Sequence, residues 1–249
     1  MMMMRVLVIG LGTKCLLLAV DKPKPDGTKQ TVQVSKTERL AFPLNGTLRL
    51  MNSIGVLTVE AWDRSDVELT TLKSTKIEYD AQDRERATRE LAKVVVTADR
   101  NGDDLVITTK YPVNRFLHPL AGEGGFDLEY NIKAPSNARL VVDHHAGNVN
   151  VDSLVGDIQV ALLEGQILLR LPQDGRYDIH AKCGVGHVNS DFPGRQRRRW
   201  WPIGHRVVEE KSPSNHKLNL KVEIGDIVVL KTRIPKPPEP LTPVKADGS

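Results

Sequence analysis

A basic and aromatic segment between residues 195 and 206 holds the side chains best suited to bind a ligand. Arginine guanidinium groups bind phosphate, sulfate or carboxylate through paired hydrogen bonds. Tryptophan rings stack on sugars or bases, or lie at a membrane interface. One interpretation is therefore a loop that contacts an anionic glycan, another anionic cell-surface polymer or lipid headgroups on a membrane surface. The candidate binding residues are Arg195, Arg197, Arg198, Arg199, Trp200, Trp201 and Arg206.

The same segment also has a purely structural interpretation, in which it is a packing insert. The tryptophans would then cover one flank of the fold while the arginines stay in water. In either case we expect Arg197, Arg198 and Arg199 to be exposed, because an unpaired buried guanidinium is costly. At least one of Trp200 and Trp201 should pack against the strands, since an indole gains free energy on leaving water.

A second cluster comprises His180, Cys183 and His187, whose side chains are of the types that bind zinc or copper. The alternation of a β-strand directs His180 outward, places Cys183 near a turn and starts the next strand at His187. A site with three protein ligands would need that turn to fold back. We therefore predict two surface histidines and a small apolar cysteine, with no metal and no other cofactor.

Six aspartates form the third cluster, and carboxylates on neighbouring strands can act as acid, base or calcium ligands. Most of them stand beside glycines, where aspartate is a good turn residue. The sequence also lacks the nucleophile elbow, the His-Glu-x-x-His motif and the phosphate-binding loop. We therefore expect no enzymatic activity from the six residues Asp143, Asp152, Asp157, Asp174, Asp178 and Asp191.

The composition excludes several classes of protein. A chain of 249 residues with 40% hydrophobic content can form a stable core without a disulfide bond or a structural metal ion. The two cysteines, Cys15 and Cys183, exclude a disulfide framework and a Cys₄ zinc site. The formal net charge of +4 is too small for a dedicated nucleic-acid binder, so we expect no nucleic-acid partner.

The elements that position these clusters follow from a repeated motif of glycine, any residue, apolar, any residue, apolar. It recurs at Gly147, Gly156, Gly165 and Gly175, nine or ten residues apart. The alternation predicts short strands with one buried face, and glycine suits a turn with positive φ. Periodicity alone leaves open whether these strands stack as a β-solenoid or form an antiparallel sandwich.

The alternation also predicts which side of each strand faces the core. The expected buried residues are Val149, Val151, Ile158, Val160, Ile167, Leu169, Ile179, Ile227 and Val229. The expected exposed residues are Asn150, Gln159 and Asp178. One segment departs from the β pattern: residues 80–92 are rich in helix formers and carry apolar residues on one side, which predicts an inserted α-helix.

Residues 45–50, the following Val59 to Arg64 and the later series of glycines resemble a bacterial putative-adhesin family, a domain of unknown function in cell-envelope proteins. The resemblance covers roughly residues 40–232. It implies an all-β fold, a right-handed β-solenoid-like stack of short strands, in an extracytoplasmic location such as the periplasm, the cell envelope or the medium. It brings no catalytic motif with it and says nothing about the basic segment.

The chain divides into four predicted segments. Residues 1–20 resemble a signal peptide or membrane anchor, and a lipoprotein signal ending at Cys15 and a dinucleotide-binding strand are the alternatives. Residues 21–39 are expected to be a linker, and 40–233 the β-solenoid domain. Residues 234–249 form a proline-rich tail that we expect to be disordered.

The resulting functional hypothesis is a non-enzymatic cell-envelope protein with a structural or adhesive role. The alternative is a binding module for anionic polymer or lipid headgroups that uses the basic segment. A glycan-processing enzyme is the third hypothesis.

Overall fold

The computed structural model describes residues 29–111, 125–199, 205–210 and 216–232, with the backbone alone for 195–199 and 205–210. These residues form one α-helix and thirteen β-strands. The helix is α1, Arg84–Ala92. The strands are β1 Gln33–Ala41, β2 Thr47–Trp62, β3 Asp66–Thr75, β4 Val95–Asn101, β5 Asp104–Lys110, β6 Phe126–Pro135, β7 Arg139–Asp152, β8 Ile158–Pro172, β9 Tyr177–Val185, β10 Val188–Ser190, β11 Arg195–Arg199, β12 His205–Glu210 and β13 His216–Thr232.

All thirteen strands belong to one open sheet in the order β1-β3-β6-β2-β7-β8-β13-β9-β12-β11. Strand β5 pairs with β2 and β4, and β10 pairs with β13. The central neighbours β2, β7, β8 and β13 run parallel to one another. Antiparallel pairs lie at both ends of this series, β1 with β3 at one end and β12 with β11 at the other.

This topology confirms the expected mainly β fold with one inserted helix. The order of the strands, however, differs from that of a regular solenoid, in which each strand lies on the one before it in the chain. Here β2 is the neighbour of β7, and the last strand, β13, lies between β8 and β9. Pairings between strands that are distant in sequence explain why a local repeat could not predict this order.

The long central strands bend at glycines that lie side by side. Gly55 pairs with Gly147, Gly147 with Gly165, and Gly165 with Gly225. Each of these glycines has a positive φ, which disfavours any residue with a side chain. We refer to this series, together with Gly186 beside Gly225, as the glycine column.

The bend also changes which residues face inward. In β8, Ile158, Val160 and Leu162 are buried before the glycine. After Gly165 the buried positions switch from even to odd numbers, as in Ile167. The same switch occurs at the glycine in β7 and β13, and in β2 it occurs between Leu50 and Ser53, just before Gly55. Because a strand alternates its faces, the two limbs of each bent strand bury side chains in the same interior, where they form one hydrophobic cluster.

The predicted core is confirmed at every position. All nine residues expected to be buried are 1% exposed or less. Gln159 is exposed as expected, whereas Asn150 and Asp178 are half-buried. The repeat therefore identified the inward face of the strands correctly.

The segments outside the repeat differ in part from expectation. The helix lies within the predicted range and packs through Ala87 and Leu91. Asp83 stands at its N-cap without a side-chain capping bond. The predicted linker over residues 21–39 is too long, since Gln33–Ala41 forms β1 and pairs with β3.

The predicted signal-like segment and proline-rich tail lie outside the described residues. No helix in the described part of the chain is long and apolar enough to cross a bilayer.

The alternation can be tested by replacing two adjacent leucines on opposite faces. Leu169 is fully buried and Leu168 points outward. We expect Leu169→Ala to lower the free energy of unfolding by about 2–5 kcal/mol, and Leu168→Ala by less than about 1 kcal/mol. Urea unfolding of the two variants measures this difference, and equal losses would contradict the assigned inward face.

Candidate functional site

The basic segment forms a β-hairpin at the edge of the sheet. Arg195, Arg197, Arg198 and Arg199 lie on β11, which pairs antiparallel with β12, the strand that contains Arg206. The prediction of a loop is therefore wrong for residues 195–199. A short polar strand that pairs only at an edge needs no alternation of apolar residues, so the sequence pattern did not reveal it. Trp200 and Trp201, and the exposure predicted for the arginine side chains, lie outside the described part of the structure.

The hairpin is attached to the sheet through β9. Strand β12 pairs antiparallel with β9, so that Glu209 stands opposite His180 and Val207 opposite Lys182. On the other side of β12, Arg195 is the partner of Glu209 and Arg197 the partner of Val207. The arginines of the candidate site are thereby held at defined register positions.

The second cluster does not come together as a metal site. His180 is exposed, whereas Cys183 is fully buried and donates a hydrogen bond to the carbonyl oxygen of Gly225 at 3.0 Å. His187 lies just before β10, with its Nδ1 atom 3.4 Å from Oδ1 of Asp226. Within the described ranges no group of three histidine, cysteine or carboxylate side chains has the arrangement of a metal site.

Several of the candidate aspartates organise the sheet instead of converging on a groove. Asp157 accepts a hydrogen bond from the backbone N–H of Lys217 at 2.9 Å. Asp191 accepts one from the backbone N–H of Lys231 at 3.1 Å. Asp152 accepts one from the hydroxyl of Ser153 at 2.8 Å. The bonds of Asp157 and Asp191 join these side chains to the backbone of another strand, which agrees with the interpretation of aspartates as structural residues.

A buried polar cluster, not predicted from the sequence, lies beside the glycine column. The register of β2 and β7 shifts around Ser53, and Asn52 has a positive φ of 58°. His144 donates from Nε2 to the carbonyl oxygen of Gly55 at 3.0 Å. Its Nδ1 accepts from the hydroxyl of Ser53 at 2.7 Å. The neutral imidazole thus satisfies a backbone group at the start of the column and a hydroxyl on the next strand.

Ser53 and His144 have the hydrogen bond of a nucleophile–base pair, but their burial opposes that role. Each is only 1% exposed, so a substrate has no route to the hydroxyl. Burial is also the main reason that the pKa of His144 falls from 6.5 to about 4. The imidazole is therefore neutral at physiological pH, and the pair stabilises the bulge in the sheet.

The outer face of the second limb, after the glycine column, carries an uncharged polar surface. Its members lie side by side on neighbouring strands. Thr58 of β2 is the partner of both Asn131 of β6 and Asn150 of β7. In the adjacent row Asn148 of β7 is the partner of Gln166 of β8. We call these five residues the amide face. Three of them are exposed and two half-buried, and none of their side chains has a hydrogen-bond partner among the described residues.

A row of charged residues borders the amide face on one side. Glu60 of β2 is the partner of Lys133 and Asp152, and Asp152 is the partner of Arg170. Lys133 lies 3.2 Å from Glu68, and Arg170 lies 3.8 Å from Asp152. Lys133 and Arg170 in this row therefore pair with carboxylates, and the five residues of the amide face are themselves uncharged. Sequence reasoning missed this surface because β2, which lies between β6 and β7 in the sheet, is distant from both in the chain.

No known protein family and no curated protein matches the sequence. Among solved structures, a putative cell adhesion protein from Clostridium sporogenes has 16% identity and a TM-score of 0.44, covering 80% of this chain and 100% of its own. A putative adhesin from Bacteroides fragilis has 10% identity and a TM-score of 0.32, with coverages of 82% and 99%. A putative adhesin from Parabacteroides merdae has 11% identity and a TM-score of 0.27, with coverages of 62% and 63%. TM-scores below 0.5 do not establish a common fold, so these likenesses carry no argument about function.

The buried histidine makes stability depend on pH. The pKa of His144 is lower in the folded state than in the unfolded chain, so the unfolded chain binds the proton more readily. The contribution of the neutral imidazole is complete above pH 6.5 and is lost as the pH falls toward 4, a change of about 3 kcal/mol. We expect His144→Gln to remove this part of the pH dependence, as measured by urea unfolding between pH 7.5 and 4.

The control is His145→Gln, because His145 is half-buried and bonds through Nε2 to Asn52 at 2.8 Å. Carboxylates titrate in both variants, so the comparison isolates His144. Parallel stability curves for the two variants would contradict the assignment.

Proposed function

We propose that this chain is a non-enzymatic module of the cell envelope with a structural or adhesive role. The observation that carries the proposal is the amide face, an uncharged array of side chains on the outer side of a rigid sheet. Strands in a sheet lie about 4.8 Å apart, so Asn131, Thr58 and Asn150 form a straight line across three strands. Such a line suits contact with an extended polymer.

The chemistry of the amide face favours a ligand rich in hydroxyl groups. An asparagine or glutamine side chain offers both a donor and an acceptor, and threonine offers one hydroxyl that does either. The hydroxyl groups of a neutral glycan have the same dual character. Each hydrogen bond contributes little in water, but several in a line add up along one polymer chain.

The burial of Ser53 and His144 supports the non-enzymatic part of this proposal. The two side chains have the hydrogen bond of a nucleophile–base pair, but they lie in the core, out of reach of a substrate. Extracytoplasmic location and a right-handed solenoid-like character also belong to the proposal. The second is supported by the parallel series β2, β7, β8 and β13, whose bends align at the glycine column.

A second function, binding of anionic polymer or lipid headgroups, is favoured by the position of the basic hairpin. In the described part of the sheet, β11 lies at the end of the hydrogen-bonded path, with β12 as its neighbour. An edge strand rich in arginine discourages pairing with another strand and attracts anions. This function uses a different surface from the amide face, so the two can be tested separately.

The adhesive role predicts that the amide face binds neutral glycan. The triple variant Thr58→Ala, Asn131→Ala, Asn150→Ala should bind purified cell walls, insoluble chitin or β-glucan about tenfold more weakly than wild type, because three hydrogen-bonding groups are lost. Its thermal stability should hardly change, since none of the three side chains bonds within the described structure. Cosedimentation with each polymer measures the binding.

The matched control replaces the same residue types elsewhere, through Asn101→Ala, Thr108→Ala and Asn219→Ala. Asn101 and Asn219 are exposed and Thr108 is half-buried, all three outside the amide face. Equal weakening by the two triple variants, or absence of wild-type binding to all three polymers, would contradict an adhesive role of the amide face.

A further inference from the structure

A row of basic positions continues from the edge hairpin onto the outer face of the sheet. Lys221 of β13 is the partner of Lys182 of β9. Lys182 is the partner of Val207 of β12, and Val207 is the partner of Arg197 of β11. This row therefore crosses four neighbouring strands and holds three basic residues without a carboxylate. We call it the basic row.

The two lysines lie on the outer side of the first limb, the limb before the glycine column. Lys221 is exposed and Lys182 half-buried, while Ala181, Cys183 and Val222 beside them are buried. Lysines at adjacent positions of neighbouring strands repel each other, and in the described structure Glu223 pairs with Lys221 and not with Lys182. Lys182 has no ion-pair partner in the described part of the structure.

Carboxylates around the basic row define its extent. Glu223, on the same strand as Lys221, pairs with it at 2.5 Å. Asp178 and Glu209 lie on flanking rows, as the partners of Lys217 and His180. On β7, the row continues through Ala161 of β8 to Asp143, which is exposed. Negative charge therefore borders one end of the row, and arginines occupy the other end.

We propose that the basic row binds a linear polyanion that runs across the strands from Lys221 to Arg197. This inference rests on the second proposed function and adds its ligand class, its direction and two residues outside the hairpin. The strand spacing of about 4.8 Å places the first and last basic positions about 14 Å apart. A single phosphate or carboxylate cannot contact both ends, whereas a polymer with an anionic group on successive units can.

The charge pattern also explains why the polymer would stop near Lys221. Beyond it, the exposed carboxylate of Asp143 repels an anionic chain. Exposed contacts between a polyanion and lysine are screened by salt, so binding should weaken as ionic strength rises.

The test compares three variants of the full chain against polygalacturonate, linear polyphosphate and vesicles containing phosphatidylglycerol, each at two salt concentrations. The first is Lys182→Gln with Lys221→Gln. The second is a hairpin variant, Arg197→Ser, Arg198→Ser and Arg199→Ser. The control is Lys93→Gln with Lys110→Gln, which removes the same charge from two exposed lysines far from the row. Thermal unfolding checks that all variants fold.

We expect the Lys182/Lys221 variant to bind the two polymers about tenfold more weakly than wild type, with a smaller salt dependence, and the control variant to bind like wild type. Loss of binding in the hairpin variant but not in the Lys182/Lys221 variant would overturn the basic row and leave the hairpin function standing. Absence of wild-type binding to every probe would overturn both. Binding to vesicles without binding to either polymer would overturn the linear polyanion in favour of a membrane surface.

Discussion

At the bend of the sheet, a β-carbon on Gly165 would lie 1.8 Å from the carbonyl oxygen of Gly147, and one on Gly225 would lie 1.7 Å from that of Gly165. No side chain fits such a distance, so the residue whose β-carbon would point at the neighbouring carbonyl group must be glycine. A slip of any strand by one residue would bring a side chain into the column. The glycine column therefore sets the register of β2, β7, β8 and β13, and the register in turn decides which side chains share a row.

The other features of the molecule follow from that register. The change of inward face at the column allows both limbs to bury their apolar side chains in one core, which supplies most of the stabilising burial. The register of β2 and β7 shifts next to the column, and there His144 bonds to the hydroxyl of Ser53 and to the carbonyl oxygen of Gly55. The outward positions are then aligned as rows, and these rows create both the amide face and the basic row.

The sequence allowed some of this to be predicted and not the rest. The alternation after each glycine is a local signal, so it predicts the inward positions Val149 and Val151 of β7 and Ile158, Val160, Ile167 and Leu169 of β8. Pairing between β2 and β7 joins Gly55 to Gly147, and no local pattern carries that information. The amide face depends on this distant pairing, whereas Lys221 and Lys182 become partners through the pairing of β13 with β9. The basic segment was predicted from its composition, but its strand conformation depends on pairing with β12 and β9.

The most direct measurement compares the stability of Gly165→Ala with that of Gly102→Ala. Both glycines have a positive φ, but a β-carbon at Gly102, in the turn between β4 and β5, would meet no atom within 4 Å. Backbone strain alone should cost about 1 kcal/mol at Gly102. If close contact in the glycine column determines the fold, Gly165→Ala will lose at least about 3 kcal/mol of unfolding free energy or fail to fold. Equal, small losses in the two variants would contradict it.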